Sequence, residues 1–156
     1  MRLATTREGG FRIEPGGGAA ALAVSAAGDG WEVSQGPSGA RWLLERDRSY
    51  PGGFVLSDRR GGASSRTTRE ADGDGAPSNL LAPDGRLFLI RRRGADAARF
   101  ELSGWEVPGA YLVARPEGDG FDISLTDAGL KLDVAAEVLI LFAAEILDAI
   151  AADARG

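Results

Sequence analysis

Apolar and polar residues alternate in short runs along this chain up to residue 126. The runs at 11–14, 100–102 and 121–125 each alternate one apolar with one polar side chain. Because successive side chains of a β-strand point to opposite faces, this period of two predicts strands with one buried and one solvated face. We predict strands at 2–6, 10–14, 19–26, 31–34, 40–46, 53–57, 86–92, 98–102, 104–107, 110–114 and 120–125.

Turn-forming residues separate these runs. "APDGR" at 82–86 places Pro and Asp-Gly between two runs, and "GDG" occurs at 28–30 and 118–120. Glycine makes up 23 of the 156 residues, about twice its usual share of about 7%. Short strands joined by tight turns favour an antiparallel meander or barrel over βαβ units. We therefore expect residues 1–156 to form one mostly β domain, an antiparallel and closed or nearly closed β-barrel.

Segment 58–78 interrupts the alternation. Its sequence, "DRRGGASSRTTREADGDGAPS", contains no large apolar residue. A segment with so little to bury is typical of a long polar loop, which is our prediction here. A polar edge hairpin around "SSRTTRE" is the alternative.

A long apolar run near the end of the sequence, "EVLILFAAEILDAI" at 137–150, has a different period. Asp133 stands at an N-cap position before good helix formers without Gly or Pro, which predicts a helix over about 134–153. At 100° per residue, apolar side chains cover about 200° of this helix, and its acids share one narrow stripe. The predicted core residues of the helix are Val138, Leu139, Phe142, Ile146 and Ile150.

The surroundings of this helix follow from its charges. A membrane span needs about 20 mostly apolar residues, whereas the uncharged run from Val138 to Ala144 has only seven. A helix on a membrane surface usually carries Lys or Arg on its polar face, and this one carries Glu and Asp. A helix that is apolar almost all round is normally enclosed, so we predict that the curved sheet surrounds it. The alternative is an interface helix between copies of the chain.

Charge and composition exclude several classes of function. The formal net charge of −5 disfavours nucleic-acid binding as the main role. The chain has no Cys and no His, so thiolate zinc sites, Ser-His-Asp triads and Cys-His pairs cannot form. No phosphate-binding loop or EF-hand pattern is present, and we expect no cofactor, metal or catalytic residue. The first ten residues lack the apolar region of a signal peptide, so we expect a cytoplasmic protein, in solution or peripheral to a membrane.

Arginines supply the candidate binding residues. Arg91, Arg92 and Arg93 form the densest basic cluster, and Arg59 and Arg60 form a second one. In one interpretation these side chains bind an anionic group such as a lipid phosphate. In the other they lie at strand ends, where they are solvated and pair with neighbouring acids.

The order of strand–turn units and final helix resembles the tubby C-terminal-like group, which includes the LURP-one-related proteins and the phospholipid scramblases. The resemblance is carried by "FRIEPGGG", "FVLSD", "APDGRLFLIRRRG" and "GFDISLTDAGLKLDVAAEVLILFAAEILDAI". It implies a twelve-stranded barrel around a central helix, with an acidic residue near the helix end where Asp148 stands. Members of the group bind phosphoinositides, act in lipid scrambling or have no known activity. The lipid-binding residues of tubby have no matching motif in this sequence.

These observations favour a non-catalytic binding or scaffold module over an enzyme. The expected partner is an anionic lipid headgroup or another protein. One alternative is a homo-oligomeric structural protein that uses the C-terminal helix as its interface. A second is a hydrolase that uses two of the 23 Asp and Glu residues as acid and base.

Overall fold

The alternating runs form the wall of a closed barrel. In the described part of the computed structural model, the strands are β1 Arg2–Thr5, β2 Phe11–Glu14, β3 Leu22–Ala27, β4 Gly30–Gln35, β5 Arg41–Arg46, β6 Phe54–Asp58, β7 Ser64–Arg69, β8 Ser78–Leu81, β9 Leu87–Arg93, β10 Arg99–Gly104, β11 Ala110–Glu117 and β12 Gly120–Leu125. Each strand pairs antiparallel with its neighbours in the chain, and β1 pairs with β12 to close the barrel. The structure describes residues 1–16, 20–37, 39–49, 52–59, 64–69, 77–93, 98–105, 109–132 and 134–155. The predicted antiparallel barrel is confirmed.

The strand predicted at 104–107 is wrong at its described residues, Gly104 and Trp105. The buried positions of β10 continue through Phe100, Leu102 and Gly104, so Gly104 ends the strand that the run at 98–102 begins. The Trp105 amide donates to the Leu87 carbonyl oxygen at 3.1 Å, and the chain turns there. Residues 106–108 lie outside the described part of the chain.

The loop predicted at 58–78 is also wrong over 64–69, where the chain forms β7. This strand pairs with β6 on one side and β8 on the other, so it is not an edge strand either. Its inward side chains include Ser65 and Thr67, which are 2% and 0% exposed. The segment lacks large apolar residues because its buried face is polar. Residues 60–63 and 70–76 lie outside the described part of the chain.

Two helices follow the last strand. The short helix α1, Asp127–Lys131, begins at Thr126, whose hydroxyl oxygen accepts from the Gly129 amide. The long helix α2, Ala136–Arg155, runs inside the barrel. The predicted N-cap, Asp133, lies outside the described part of the chain.

The middle of α2 is sealed from solvent. Val138, Phe142 and Ile146 are at most 1% exposed, and Leu139 is half-buried against the core. Ile150 is 38% exposed, so its assignment to the core is wrong. The helix leaves the barrel at this point, and all residues from 150 to 155 are exposed.

The helix lies off-centre in the barrel. Its closest contacts are with β6, β7 and β8.

We expect Phe142→Ala to lower the free energy of unfolding by about 3–5 kcal/mol, because it opens a cavity in the sealed part of the core. Ile150→Ala, on the exposed end of the same helix, should cost less than about 1 kcal/mol. Urea denaturation of both variants measures the difference. Equal losses in the two variants would contradict this placement of α2.

Candidate functional site

The buried polar side chains of the described residues form one stripe inside the barrel. They are Ser65, Thr67, Ser78 and Glu145, and they come from β7, β8 and the facing side of α2. Glu145 is 2% exposed. Its Oε1 accepts a hydrogen bond from the Thr67 hydroxyl at 2.6 Å, and its Oε2 accepts from Arg69 Nη2 at 2.7 Å. The Thr67 oxygen in turn accepts from the Phe54 amide at 2.9 Å.

Asp148 lies one turn further along α2 and extends this network. Arg46 Nη2 donates to its Oδ1 at 3.0 Å, and Arg69 Nη2 is 3.5 Å from its Oδ2. Arg69 thus joins both carboxylates, and Arg46 joins the second one to β5. We call Glu145, Thr67, Arg69, Asp148 and Arg46 the Glu145 cluster.

Burial changes the pKa of the Glu145 carboxyl. Desolvation raises the pKa of this carboxyl above its usual value, and the nearby Asp148 charge raises it further. The hydrogen bonds from Thr67 and Arg69 oppose this rise but do not cancel it. The carboxyl therefore holds a proton more readily than an exposed glutamate does.

A cavity of about 240 Å³ opens on another side of α2, at the end of the barrel where the helix emerges. We call it the barrel pocket. Its apolar lining consists of Phe11, Trp31, Leu44, Phe54, Ala144, Leu147 and Ala151. Its charged lining is the Arg46–Asp148 pair, which it shares with the Glu145 cluster. Small residues on α2 leave the space that this pocket occupies.

Two close contacts hold the lip of the barrel pocket in place. A Cβ atom on Gly10 would lie 1.9 Å from the Val24 carbonyl oxygen, so a side chain here would push the β1–β2 turn away from β3. The Trp31 indole nitrogen donates to the Gly9 carbonyl oxygen at 3.1 Å. Both contacts place the turn over the aromatic side of the pocket.

Arg46 forms the polar part of the pocket wall. Its guanidinium carbon lies 5.2 Å from the Phe54 ring centroid and 5.9 Å from that of Trp31. These distances are typical of cation–π contacts. The two rings and Asp148 together orient the arginine.

The structure does not bring the sequence-predicted arginines together. On β9, Arg92 follows the inward positions of the strand and pairs with Asp153 at 2.5 Å, whereas Arg91 and Arg93 take the outward positions. Arg93 pairs with Glu101 at 3.0 Å.

Arg59, from the second arginine pair, is separated from β9 by β7 and β8. Arg59 follows β6 and pairs with Glu32. Arg60 lies outside the described part of the chain. These pairings agree with the interpretation in which the arginines meet neighbouring acids.

An apolar groove also lies on the outer surface of β7–β9. Leu81, Leu87 and Trp105 are 38%, 44% and 48% exposed and line a space of about 280 Å³. It is at the opposite end of the barrel from the barrel pocket.

Sequence reasoning missed both the Glu145 cluster and the barrel pocket. The sequence carries no signal for the cluster, because every residue of 64–69 is polar and its inward positions cannot be distinguished from its outward ones. The buried positions become evident only when β7 lies opposite Glu145 in the barrel. No signal exists for the pocket either, because its walls come from five strands and α2.

Comparisons with known proteins add no assignment. No protein-family model, curated protein or solved structure matches this chain. Neither helix in the described residues has the length and apolar character that crossing a membrane requires. Within those same residues, no three acidic side chains are placed to hold a metal ion. The resemblance to the tubby C-terminal-like group stays a prediction.

We expect Thr67→Val to lower the free energy of unfolding by about 1–3 kcal/mol, because the Glu145 carboxyl and the Phe54 amide each lose a buried partner. Thr68→Val on the outward face of the same strand is the matched control, and its effect should stay within about 0.5 kcal/mol. Urea denaturation of the two variants tests this. Similar values for both would show that the Thr67 hydroxyl has no special role.

The stability of the protein should depend on pH through Glu145. Because the pKa of this carboxyl is higher in the folded than in the unfolded protein, the folded state binds more protons between the two values. The contribution of this raised pKa to the free energy of unfolding is complete below the ordinary glutamate pKa of about 4.3. It is lost as the pH rises through the pKa of Glu145 in the folded protein. Glu145→Gln does not titrate at this position.

Urea unfolding of both proteins from about pH 4 to about pH 8 measures this contribution. The unfolding free energy of the wild type minus that of Glu145→Gln should fall as the pH rises. A difference that is flat, or that increases with pH, would contradict the raised pKa.

Proposed function

We propose that this protein is a non-catalytic binding module and that its ligand site is the barrel pocket. The observation that carries the proposal is a concave, mostly apolar cavity of about 240 Å³ with one charged pair in its wall. Ligand sites are typically apolar clefts with a few polar groups that orient the ligand. The small volume suits a ligand smaller than a typical drug molecule.

The position of Glu145 supports binding over hydrolysis. A carboxyl with a raised pKa is a candidate general acid, but it must reach the substrate. Glu145 is 2% exposed and is not part of the pocket lining. The acid in the lining, Asp148, pairs with Arg46 and Arg69 instead.

The other functions expected from the sequence have less support. A lipid phosphate on the arginine clusters would need several open guanidinium groups on one surface. Instead, Arg92 takes an inward position of β9, and Arg59, Arg92 and Arg93 each pair with an acid. An oligomer built on the C-terminal helix would need an exposed apolar face, and the strands of the same chain cover that face of α2. The closed barrel around a helix agrees with what the resemblance to the tubby C-terminal-like group implies. The ligands of that group are not assigned to this protein.

The test is the binding of a neutral apolar probe, 1-octanol, followed by NMR chemical-shift changes. We expect shifts at the methyl groups of Leu44 and Leu147. Ala151→Phe should block the mouth of the pocket and weaken binding by at least about tenfold. Ala152→Phe, on the adjacent exposed helix position, is the matched control and should bind as the wild type does.

Absence of saturable octanol binding to the wild type would overturn the proposed site. Equal binding by the two alanine variants, with shifts elsewhere, would also overturn it.

A further inference from the structure

We propose that the barrel pocket selects a small amphipathic monocarboxylate, with an apolar body of roughly six to nine carbon atoms and a carboxylate head bound by Arg46. This inference rests on the proposed function and adds the chemical class of the ligand. It follows from the size of the pocket, from its walls and from the hydrogen-bonding capacity left at its mouth.

The size and walls of the pocket determine the body of the ligand. A dry cavity of about 150 Å³ in a protein core accepts benzene. The barrel pocket has about 240 Å³ and is lined by Trp31, Phe54, Leu44 and Leu147. It therefore has room for a short alkyl chain or a substituted ring.

The free hydrogen-bonding capacity determines the head of the ligand. Among the described residues, Arg46 uses only Nη2 in its ion pair with Asp148, although a guanidinium carries five N–H donors. The Arg46 side chain is 54% exposed, so its remaining donors are accessible at the mouth of the pocket. An arginine fork matches the two oxygens of a carboxylate.

Two other polar side chains at the pocket already have partners. The Trp31 N–H donates to Gly9, and the Thr6 hydroxyl oxygen accepts from the Gly10 amide at 3.2 Å. Both Asp148 oxygens face arginines. Thr5 also lines the pocket, but its hydroxyl is neutral, whereas the open donors of Arg46 carry a positive charge, which favours an anionic acceptor over an amine.

Asp148 acts as the internal counter-ion of Arg46, and the ligand shares the arginine with it. A second negative charge near Asp148 is repelled, which favours a singly charged carboxylate over a doubly charged phosphate. Replacing Asp148 with Asn should therefore strengthen anion binding.

Isothermal titration calorimetry with octanoate, 1-octanol and octyl phosphate tests the proposal, because the three share one alkyl chain. We expect octanoate to bind about tenfold more tightly than 1-octanol, since a charge-assisted hydrogen bond adds to the same apolar contacts. Octyl phosphate should bind more weakly than octanoate.

Two variants assign the selectivity to the named residues. Arg46→Gln should remove the preference for octanoate over 1-octanol, whereas Arg48→Gln, an exposed arginine outside the pocket with the same change of charge, should keep it. Asp148→Asn should increase the preference for octanoate over 1-octanol by about threefold to tenfold.

The outcomes separate this inference from the proposed function. Equal affinities for octanoate and 1-octanol would overturn the proposed selectivity for a carboxylate and leave the pocket as an apolar site. Tighter binding of octyl phosphate would replace the carboxylate with a phosphate. Loss of binding to both octanoate and 1-octanol in Arg46→Gln would show that the arginine maintains the pocket wall and does not select the carboxylate. Binding of neither ligand to the wild type would overturn the pocket itself.

Discussion

A closed barrel of twelve strands is wider than its own inward side chains can fill, and this geometry governs the rest of the structure. Barrels of about eight strands are already filled by their side chains. This barrel needs additional material, and α2 supplies it as a helix that is apolar over most of its circumference. The helix packs most closely against β6–β8, and the barrel pocket lies beside it, between α2 and strands β1, β2, β4, β5 and β6.

The polar stripe inside the barrel has a structural consequence for α2. Apolar packing is non-directional, so it does not by itself fix the rotation of a helix that is apolar almost all round. A buried carboxylate is strongly destabilising without partners, and its partners lie on β7. Glu145 therefore favours the one rotation and height of α2 that bring it to Thr67 and Arg69. The same placement brings Asp148 to Arg46 and completes the wall of the barrel pocket.

Much of the fold could be predicted from local patterns, whereas the site could not. Alternation identifies ten of the strands, and the periodicity of 137–150 identifies the enclosed helix. It misses β7 and β8. At β7 it fails because the inward face there is polar and holds Thr67, which binds a residue 78 positions away. The arginine clusters were predicted as a binding site because they are dense along the chain. Neighbouring residues of a strand point to opposite faces, so density in sequence does not bring their side chains together. Arg46 belongs to no basic cluster in the sequence. It becomes part of the pocket wall only because β5 lies next to Asp148 of α2 in the folded barrel.

The order of the elements also determines how the molecule can be made. α2 follows all twelve strands, so the ribosome produces the entire wall before the buried residues of the helix that fill it. Until those residues emerge, the inward faces of the strands lack their main partner, and partly folded chains with exposed apolar strands are prone to aggregate. Completion of the barrel and insertion of the helix are therefore coupled late events. This architecture is therefore more prone to aggregate as a nascent chain than as the finished protein.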